Sequence, residues 1–200
     1  MPARISFWLL LLTGLAALLG SSACQAQAPA VVGKGRAKAS LTTIYLMRHG
    51  EKDTIGNPAD PDLTSVGQER AQALRKLLER KRPVAIFTTN TKRTRATVAP
   101  LAAAVKLEPE VYNARETTAL AQRLRRDYMG KTVVVVGHSN TLLPLIESLG
   151  GTPPVEEIGD NEYDYLFTVR IVEGVLPVVE VRGYGPERKV EGAPGVPRVR

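Results

Sequence analysis

Short runs of apolar and β-branched residues recur along the chain, and each run ends in polar or turn-forming residues. Runs of this length and composition predict buried strands, whereas apolar residues repeated every three or four positions predict helices. Strands are predicted over residues 42–47, 84–87, 107–112, 132–136, 165–172 and 176–181. Helices are predicted to follow Thr64 or Ser65 and to span residues 92–105, 117–129 and 141–149. Strands that alternate with helices in this way predict a largely parallel sheet with helices on both faces.

The last two predicted strands are separated by Glu173 and Gly174, a pair that is typical of a tight hairpin. These two strands are therefore expected to lie antiparallel at one edge of the sheet. Together the elements predict an α/β fold: a three-layer α/β/α sandwich around a mostly parallel mixed sheet with an edge hairpin. Pro100 lies inside a predicted helix and is expected to kink or shorten it, because proline cannot donate the helical hydrogen bond.

The two ends of the chain differ in composition from its middle. Arg4 precedes an apolar run over residues 7–19, and small residues follow before Cys24, which is the pattern of a secretory signal peptide. The apolar run is too short to predict a membrane span. We predict four segments: a signal peptide over 1–23, a flexible linker over 24–40, a folded domain over 41–182 and a loose tail over 183–200.

Cys24 is the only cysteine of the chain, so it cannot form an internal disulfide. The residues before it resemble a bacterial lipoprotein lipobox, in which the cysteine is lipidated, although Ser21 stands where that pattern prefers leucine. Cleavage after Ala23 or Ala26 by an ordinary signal peptidase would instead give a soluble product. We therefore predict an exported bacterial protein, either anchored to a membrane through a lipid on Cys24 or released into the periplasm or the medium.

The formal net charge is +7 at pH 7, which favours anionic partners. Nucleic acid is the main alternative to a phosphorylated small molecule for a basic chain. Aromatic residues make up only 5% of the chain, too few for base-stacking surfaces, and they are not interleaved with basic residues. We predict a phosphorylated small-molecule substrate, no nucleic-acid partner, and membrane contact only through an N-terminal anchor.

The chain contains only two histidines, and each follows a predicted strand. His49 follows Arg48 at the end of the first strand, and His138 follows Gly137 at the end of the fourth. Ligands of open α/β sheets bind beyond the carboxyl ends of the parallel strands. We therefore expect both histidines to face one pocket.

A pocket for a phosphoryl group needs fixed positive charge, and the planar guanidinium of arginine can meet two oxygens at once. Arg48 and Arg93 are the candidates, and Arg93 also lies near a predicted helix start, where main-chain N–H groups add positive potential. His49 is the candidate nucleophile and would form a phosphohistidine that water later hydrolyses. His138 would donate to a phosphoryl oxygen and stabilise the transition state. This scheme requires no metal ion and no other cofactor.

Four motifs stand at separate places along the chain: Leu46-Met47-Arg48-His49-Gly50-Glu51, Leu63-Thr64-Ser65-Val66-Gly67-Gln68, Arg93-Thr94-Arg95-Ala96-Thr97 and Val136-Gly137-His138-Ser139-Asn140. In this order they resemble the motifs of the histidine phosphatase superfamily, which includes the cofactor-dependent phosphoglycerate mutases. The resemblance covers residues 42–149. It implies a phosphoglycerate mutase-like α/β/α sandwich, a phosphohistidine at His49 and a phosphate pocket of Arg48, Arg93 and His138.

The resemblance also suggests residues for two further roles. The superfamily often holds phosphate with an asparagine soon after the nucleophile, and Asn57 is the candidate here. In the mutase branch a glutamate before the second histidine protonates the leaving group; of Glu108, Glu110 and Glu116, we prefer Glu116 as the general acid. Ser139 stands where the acid phosphatase and phytase branch has aspartate, which argues against that branch.

These features predict a metal-independent phosphatase that hydrolyses phosphomonoesters. Two alternatives use the same site: mutase-like phosphoryl transfer, and removal of phosphate from protein histidine. A third alternative is a non-catalytic lipoprotein that binds phosphate groups of envelope glycans. The loops over 51–62 and 151–163 are expected to set the substrate, which the sequence does not identify.

Three residues near these motifs are expected to be structural. Glu51 is expected to brace its loop or a nearby cation rather than transfer a proton. Tyr163 and Tyr165 are expected to pack against the sheet rather than contact the substrate.

Overall fold

The computed structural model describes residues 40–55 and 59–186. The predicted signal peptide, the lipidation site at Cys24, most of the linker, Asn57 and the tail from residue 187 lie outside the described residues. Their predicted roles therefore remain predictions.

Six strands form one mixed sheet: β1 (Leu41–Arg48), β2 (Ala85–Thr88), β3 (Glu110–Val111), β4 (Thr132–Gly137), β5 (Tyr165–Val172) and β6 (Val178–Gly183). Their order in the sheet is β3-β2-β4-β1-β5-β6. The first four strands in this order are parallel, whereas β5 runs antiparallel to β1 and pairs with β6 as a hairpin. The predicted mixed sheet with an antiparallel edge hairpin is confirmed.

Four helices cover the sheet: α1 (Ser65–Leu78), α2 (Lys92–Val105), α3 (Thr117–Asp127) and α4 (Ser139–Ser148). Helices α1 and α2 contribute residues to one apolar cluster, and helices α3 and α4 contribute to another. Strand β4 shows why these are opposite faces, because Val133 and Val135 belong to one cluster and Val134 and Val136 to the other. Side chains of a strand alternate between faces, so a continuous run of valines is buried on both sides. The predicted three-layer α/β/α sandwich is confirmed.

Threonine side chains fix the starts of the first two helices. The Thr64 hydroxyl accepts a hydrogen bond from the Gly67 N–H, and the Thr91 hydroxyl accepts one from the Thr94 N–H. These contacts satisfy main-chain donors that the first helical turn leaves without partners. Because α2 begins there, Arg93 lies in its first turn, near the end of β2.

The elements differ from prediction in several places. Strand β6 lies two residues later than predicted and ends at Gly183, and Tyr184 is 1% exposed, so the predicted loose tail over 183–200 begins too early. Strand β3 has two residues rather than six, because only Phe87 and Thr88 of β2 pair with it. Pro100 does not shorten helix α2, which continues to Val105. Leu101, the next residue, is fully buried. Helix α4 begins at Ser139, two residues before the predicted start. No helix within residues 40–55 and 59–186 is both long and apolar enough to cross a membrane.

Candidate active site

The two histidines lie side by side at the carboxyl ends of β1 and β4. These strands pair in parallel with Arg48 opposite Gly137, and the His49 N–H donates to the Gly137 carbonyl oxygen over 3.0 Å. The two imidazole centroids are 5.4 Å apart with their planes at 66°. Strand pairing thus brings together residues that are far apart in the sequence.

Main-chain contacts fix the orientation of the His49 ring. His49 is only 3% exposed, and its Nδ1 lies 2.7 Å from the carbonyl oxygen of Gly50. A carbonyl oxygen can only accept, so Nδ1 carries the proton and Nε2 keeps its lone pair. The pKa of His49 is lowered to about 3, chiefly by burial and also by the nearby charges of Arg48 and Arg93, while the Gly50 contact acts in the opposite direction. His49 is therefore a neutral imidazole at pH 7.

The loop that carries His49 is packed tightly between the first two helices. A Cβ atom on Gly50 would lie 2.8 Å from the Gly67 carbonyl oxygen, and one on Gly67 would lie 2.4 Å from the Glu51 carbonyl oxygen. The Gly50 N–H donates to the Thr97 hydroxyl of α2 over 2.9 Å. Only glycine at both positions allows the loop to lie this close to α1.

A threonine holds the second histidine. The Thr89 hydroxyl lies 2.8 Å from Nε2 of His138 and 3.0 Å from the Thr94 hydroxyl. The pKa of His138 is lowered to about 4, chiefly by burial and also by the charges of Arg93 and Arg48. His138 is thus also neutral at pH 7 in the absence of a bound anion.

Arg48 is buried, and its guanidinium group is only partly hydrogen-bonded within the described residues. Its Nη1 donates to the carbonyl oxygens of Gly159, Asp160 and Glu162 over 2.7, 3.0 and 3.3 Å. Its Nε is buried and has no hydrogen-bond partner within the described residues. Burial lowers the pKa of Arg48, but arginine stays charged at neutral pH.

Arg93, whose charge also acts on both histidines, shows the same feature. Its Nε is also buried without a hydrogen-bond partner in the described part of the chain, and its Nη1 lies 3.9 Å from an Asp60 carboxylate oxygen. Buried N–H groups are nearly always paired in native proteins, so two unpaired guanidinium N–H groups beside two neutral histidines indicate a site for an anion.

Tyr163 belongs to this site, contrary to the sequence-based expectation that it packs against the sheet. Its ring centroid lies 4.3 Å from the Arg48 Cζ atom and 5.8 Å from the His49 ring centroid. Tyr163 lies in an irregular segment outside any strand, so no periodic pattern indicated which way its side chain points. Tyr165, by contrast, is buried in β5 and packs against Phe167 in the core, as expected.

Glu51 is engaged with a buried arginine. Its carboxylate pairs with Arg70, and the shortest contact is 2.6 Å between Oε1 and Nη2. The expectation that Glu51 braces a nearby cation is confirmed.

The remaining predicted residues are placed as follows. Glu116 is an exposed residue before α3, where its carboxylate accepts from the Asn113 side chain over 2.8 Å. No described contact joins Glu116 to either histidine, and its role as general acid remains a prediction.

Within the described ranges, no group of three or more His, Cys, Asp or Glu side chains is arranged to hold a metal ion.

Comparison with known proteins adds a family match and a set of related folds. The family model "Histidine phosphatase superfamily (branch 1)" matches residues 44–114, which include Arg48, His49 and Arg93. No curated protein matches the chain significantly.

Several solved structures share the fold at low sequence identity. The protein histidine phosphatase SixA, complexed with tungstate, aligns with a TM-score of 0.55 and 18% identity over 69% of this chain and 94% of its own. A mycobacterial glucosyl-3-phosphoglycerate phosphatase aligns with a TM-score of 0.56 and 14% identity over 70% of this chain and 98% of its own. A phosphoserine phosphatase from Entamoeba histolytica, complexed with 3-phosphoglyceric acid, aligns with a TM-score of 0.56 and 16% identity over 74% of this chain and 98% of its own.

The family match contains the first histidine motif and ends before His138. Together these findings show a match to the histidine phosphatase superfamily over residues 44–114 and a fold shared with phosphatases of known structure.

Proposed function

We propose that this protein is a phosphatase that hydrolyses phosphomonoesters through a phosphohistidine intermediate on His49. The observation that supports this most is a neutral, buried imidazole with a free Nε2 lone pair, flanked by two arginines with unpaired buried N–H groups. The imidazole can act as a nucleophile, and the arginines can bind a phosphoryl dianion.

In the first step, Nε2 of His49 attacks phosphorus, a P–N bond forms and the P–O bond to the leaving group breaks. The leaving oxygen keeps the electron pair of that bond and takes a proton from a general acid, for which Glu116 is the predicted residue; in the second step the same group takes a proton back from the attacking water. Arg48 and Arg93 offset the charge on the phosphoryl oxygens in the transition state. In the second step, water attacks phosphorus and the P–N bond breaks, which releases inorganic phosphate and restores neutral His49.

The bound phosphoryl group changes the electrostatics of His138. In the free protein, Arg93 and Arg48 help to lower the pKa of His138. A bound dianion offsets those charges, so the pKa of His138 rises, and a doubly protonated ring can hydrogen-bond to Thr89 and donate to a phosphoryl oxygen at the same time. Thr89 holds the ring in place while this occurs.

A phosphohistidine of another protein is the second candidate substrate, suggested by the similarity to SixA, which is described as a protein histidine phosphatase. Mutase-like transfer and non-catalytic binding of phosphorylated glycans remain alternatives that predict different products. Transfer would return phosphate to an organic acceptor, and pure binding would give no turnover. We also propose export, with Cys24 as the lipidation site if the protein is membrane-anchored.

The test is hydrolysis of an aryl phosphate in the presence of EDTA by the wild type and by His49→Ala. We expect inorganic phosphate from the wild type only, and a wild-type phosphoenzyme that is labile in acid and stable in base, as phosphoramidates are. Parallel assays with phosphohistidine and with an alkyl phosphate distinguish the two substrate classes. Undiminished activity of the His49→Ala protein would show that another residue is the nucleophile.

A further inference from the structure

Arg70 on α1 connects the loop that follows His49 to the chain segment that follows β6. Its side chain is 2% exposed. Its Nε lies 3.1 and 3.0 Å from the two carboxylate oxygens of Glu51. Its Nη1 donates to the Tyr184 carbonyl oxygen over 2.6 Å, and its Nη2 donates to that of Pro186 over 3.2 Å. A single buried guanidinium group therefore binds two segments that are far apart in sequence.

The Glu51 partner lies close to the anion site. Glu51 is two residues after His49, and its carbonyl oxygen accepts from the Thr64 N–H over 2.9 Å. Its carboxylate also acts electrostatically on Tyr163: burial raises the pKa of that phenol, and the Glu51 charge raises it further. A carboxylate in this position would repel a phosphoryl dianion unless a cation neutralises it.

The main chain of residues 184–186, after β6, packs directly against the Arg70 guanidinium group. Tyr184 is 1% exposed, and its N–H donates to the Asp164 carbonyl oxygen over 2.9 Å. Gly185 has a φ of +73°, and a Cβ atom there would lie 2.9 Å from the Arg70 Nη1. A left-handed glycine therefore lets the main chain pass directly against the guanidinium. Few side chains could replace Arg70, because the partner set combines a carboxylate with two carbonyl oxygens.

We propose that Arg70 is a positioning residue for the reaction at His49: it neutralises Glu51 beside the phosphate site and anchors the nucleophile loop to residues 184–186. This inference rests on the proposed function, since it assigns Arg70 a role in phosphate binding and turnover. Arg70 does not touch the substrate. It acts through Glu51, which would otherwise be an unpaired negative charge next to an anion site.

The test compares Arg70→Met, Glu51→Gln and the double variant with the wild type, using the full chain. Arg75→Met is the matched control, because Arg75 also lies on α1 and pairs with Glu79 over 2.7 Å at a position that is about a third exposed. The readouts are the Kd of inorganic phosphate by calorimetry, kcat and KM for an aryl phosphate, and the unfolding midpoint.

We expect Arg70→Met to weaken phosphate binding about tenfold, because it leaves a carboxylate unpaired. Adding Glu51→Gln should restore most of that affinity while kcat stays low, since the loop remains unanchored. A purely structural role predicts otherwise: the double variant would then bind phosphate no better than Arg70→Met. That result, or an Arg70→Met protein indistinguishable from Arg75→Met in Kd and kcat, would overturn the proposal.

Two outcomes would complicate this comparison: an Arg70→Met protein that does not fold, and a wild type that hydrolyses no ester. If Arg70→Met does not fold, Arg70→Gln with and without Glu51→Gln makes the same comparison, because glutamine removes the positive charge but can still donate a hydrogen bond to a carbonyl oxygen. Rescue of phosphate affinity by Glu51→Gln supports the proposal, and no rescue overturns it. A wild type that binds phosphate but hydrolyses no ester would contradict the proposed function and still leave the affinity comparison interpretable.

Discussion

Nδ1 of His49 lies 2.7 Å from the carbonyl oxygen of Gly50, so the residue next to the proposed nucleophile determines its tautomer. The proton is on Nδ1, and Nε2 is the atom left to attack. The same main-chain turn is packed against Gly67 and bound by Thr97. The reactivity of the imidazole is thus set by the fold of its own loop, with burial keeping the ring neutral.

The first prediction concerns the titration of the two histidines. We expect midpoints of about 3 for His49 and about 4 for His138 in the free protein, because both rings are buried near Arg48 and Arg93. Saturation with inorganic phosphate should raise the His138 midpoint, since the anion offsets the two guanidinium charges. The chain has only two histidines, so NMR of the imidazole resonances measures both directly. A midpoint near the ordinary value of 6.5 in the free protein would contradict this account.

The second prediction is that stability falls as the pH is lowered from 7.5 to 5.5. The folded-state pKa values of both histidines lie below the unfolded value, so in this range the unfolded chain binds protons that the folded protein does not. Each histidine should therefore cost about 1.4 kcal/mol of unfolding free energy at pH 5.5. Urea unfolding of the wild type and of the His49→Gln/His138→Gln variant at both pH values tests this. An equal loss in both proteins would assign the pH dependence to other groups.

The third prediction concerns the contact between Thr89 and His138. Thr89→Val keeps the side-chain shape but leaves Nε2 of His138 without its hydroxyl partner. We expect kcat to fall about tenfold, because a misplaced donor weakens transition-state stabilisation, with a smaller effect on KM. Thr118→Val is the control, because it removes an exposed hydroxyl contact with Ser148. Equal kinetics for the two variants would mean that Thr89 does not position the ring.

The fourth prediction separates the ring of Tyr163 from its hydroxyl group. The ring packs on the Arg48 guanidinium, and such a contact contributes about 0.5–2 kcal/mol. Tyr163→Ala should therefore lower kcat/KM about tenfold, by loosening Arg48, whereas Tyr163→Phe should retain most of the activity. Tyr165→Phe, which removes a hydroxyl contact with Glu162, controls for general effects on this segment. A Tyr163→Phe protein as impaired as Tyr163→Ala would instead assign a role to the phenol hydroxyl.

The fifth prediction concerns Gly67→Ala. Replacing glycine by alanine within a helix normally stabilises it by about 0.5–1 kcal/mol. Here the new methyl group would lie 2.4 Å from the Glu51 carbonyl oxygen, so the loop that carries His49 must move. We expect a lower free energy of unfolding together with a large loss of kcat, measured by urea unfolding and aryl phosphate hydrolysis. Lys76→Ala, at an exposed position of the same helix, should change neither quantity appreciably.

Much of this fold follows from local sequence patterns. The strands that precede His49 and His138 are rich in apolar and β-branched residues, and Thr64 and Thr91 cap helices α1 and α2. The carboxyl ends of parallel strands necessarily share an edge of the sheet. Two histidines that each follow such a strand are therefore predicted to lie in one site.

The contacts between distant residues could not be read from the sequence. Arg48 binds carbonyl oxygens 111 to 114 positions away. Because every residue has a carbonyl group, the sequence does not show which of them bind an arginine. Tyr163 lies in a segment without periodicity, and Arg70 looks like an ordinary polar residue of an amphipathic helix. Strand β3 was predicted too long because pairing partners, rather than propensity, determine where a short edge strand ends.

The binding of Arg48 to the carbonyl oxygens of residues 159, 160 and 162 has a consequence for how substrate range can diverge. The segment that places Tyr163 beside His49 also holds Arg48, the proposed phosphate ligand. Insertions or deletions there are therefore expected to alter substrate recognition and phosphate binding together. The loop before α1 is not tied to Arg48 in this way by any described contact. New specificities should therefore arise more readily by remodelling the loop before α1, and residues 159–163 should tolerate changes of side chain better than changes of length.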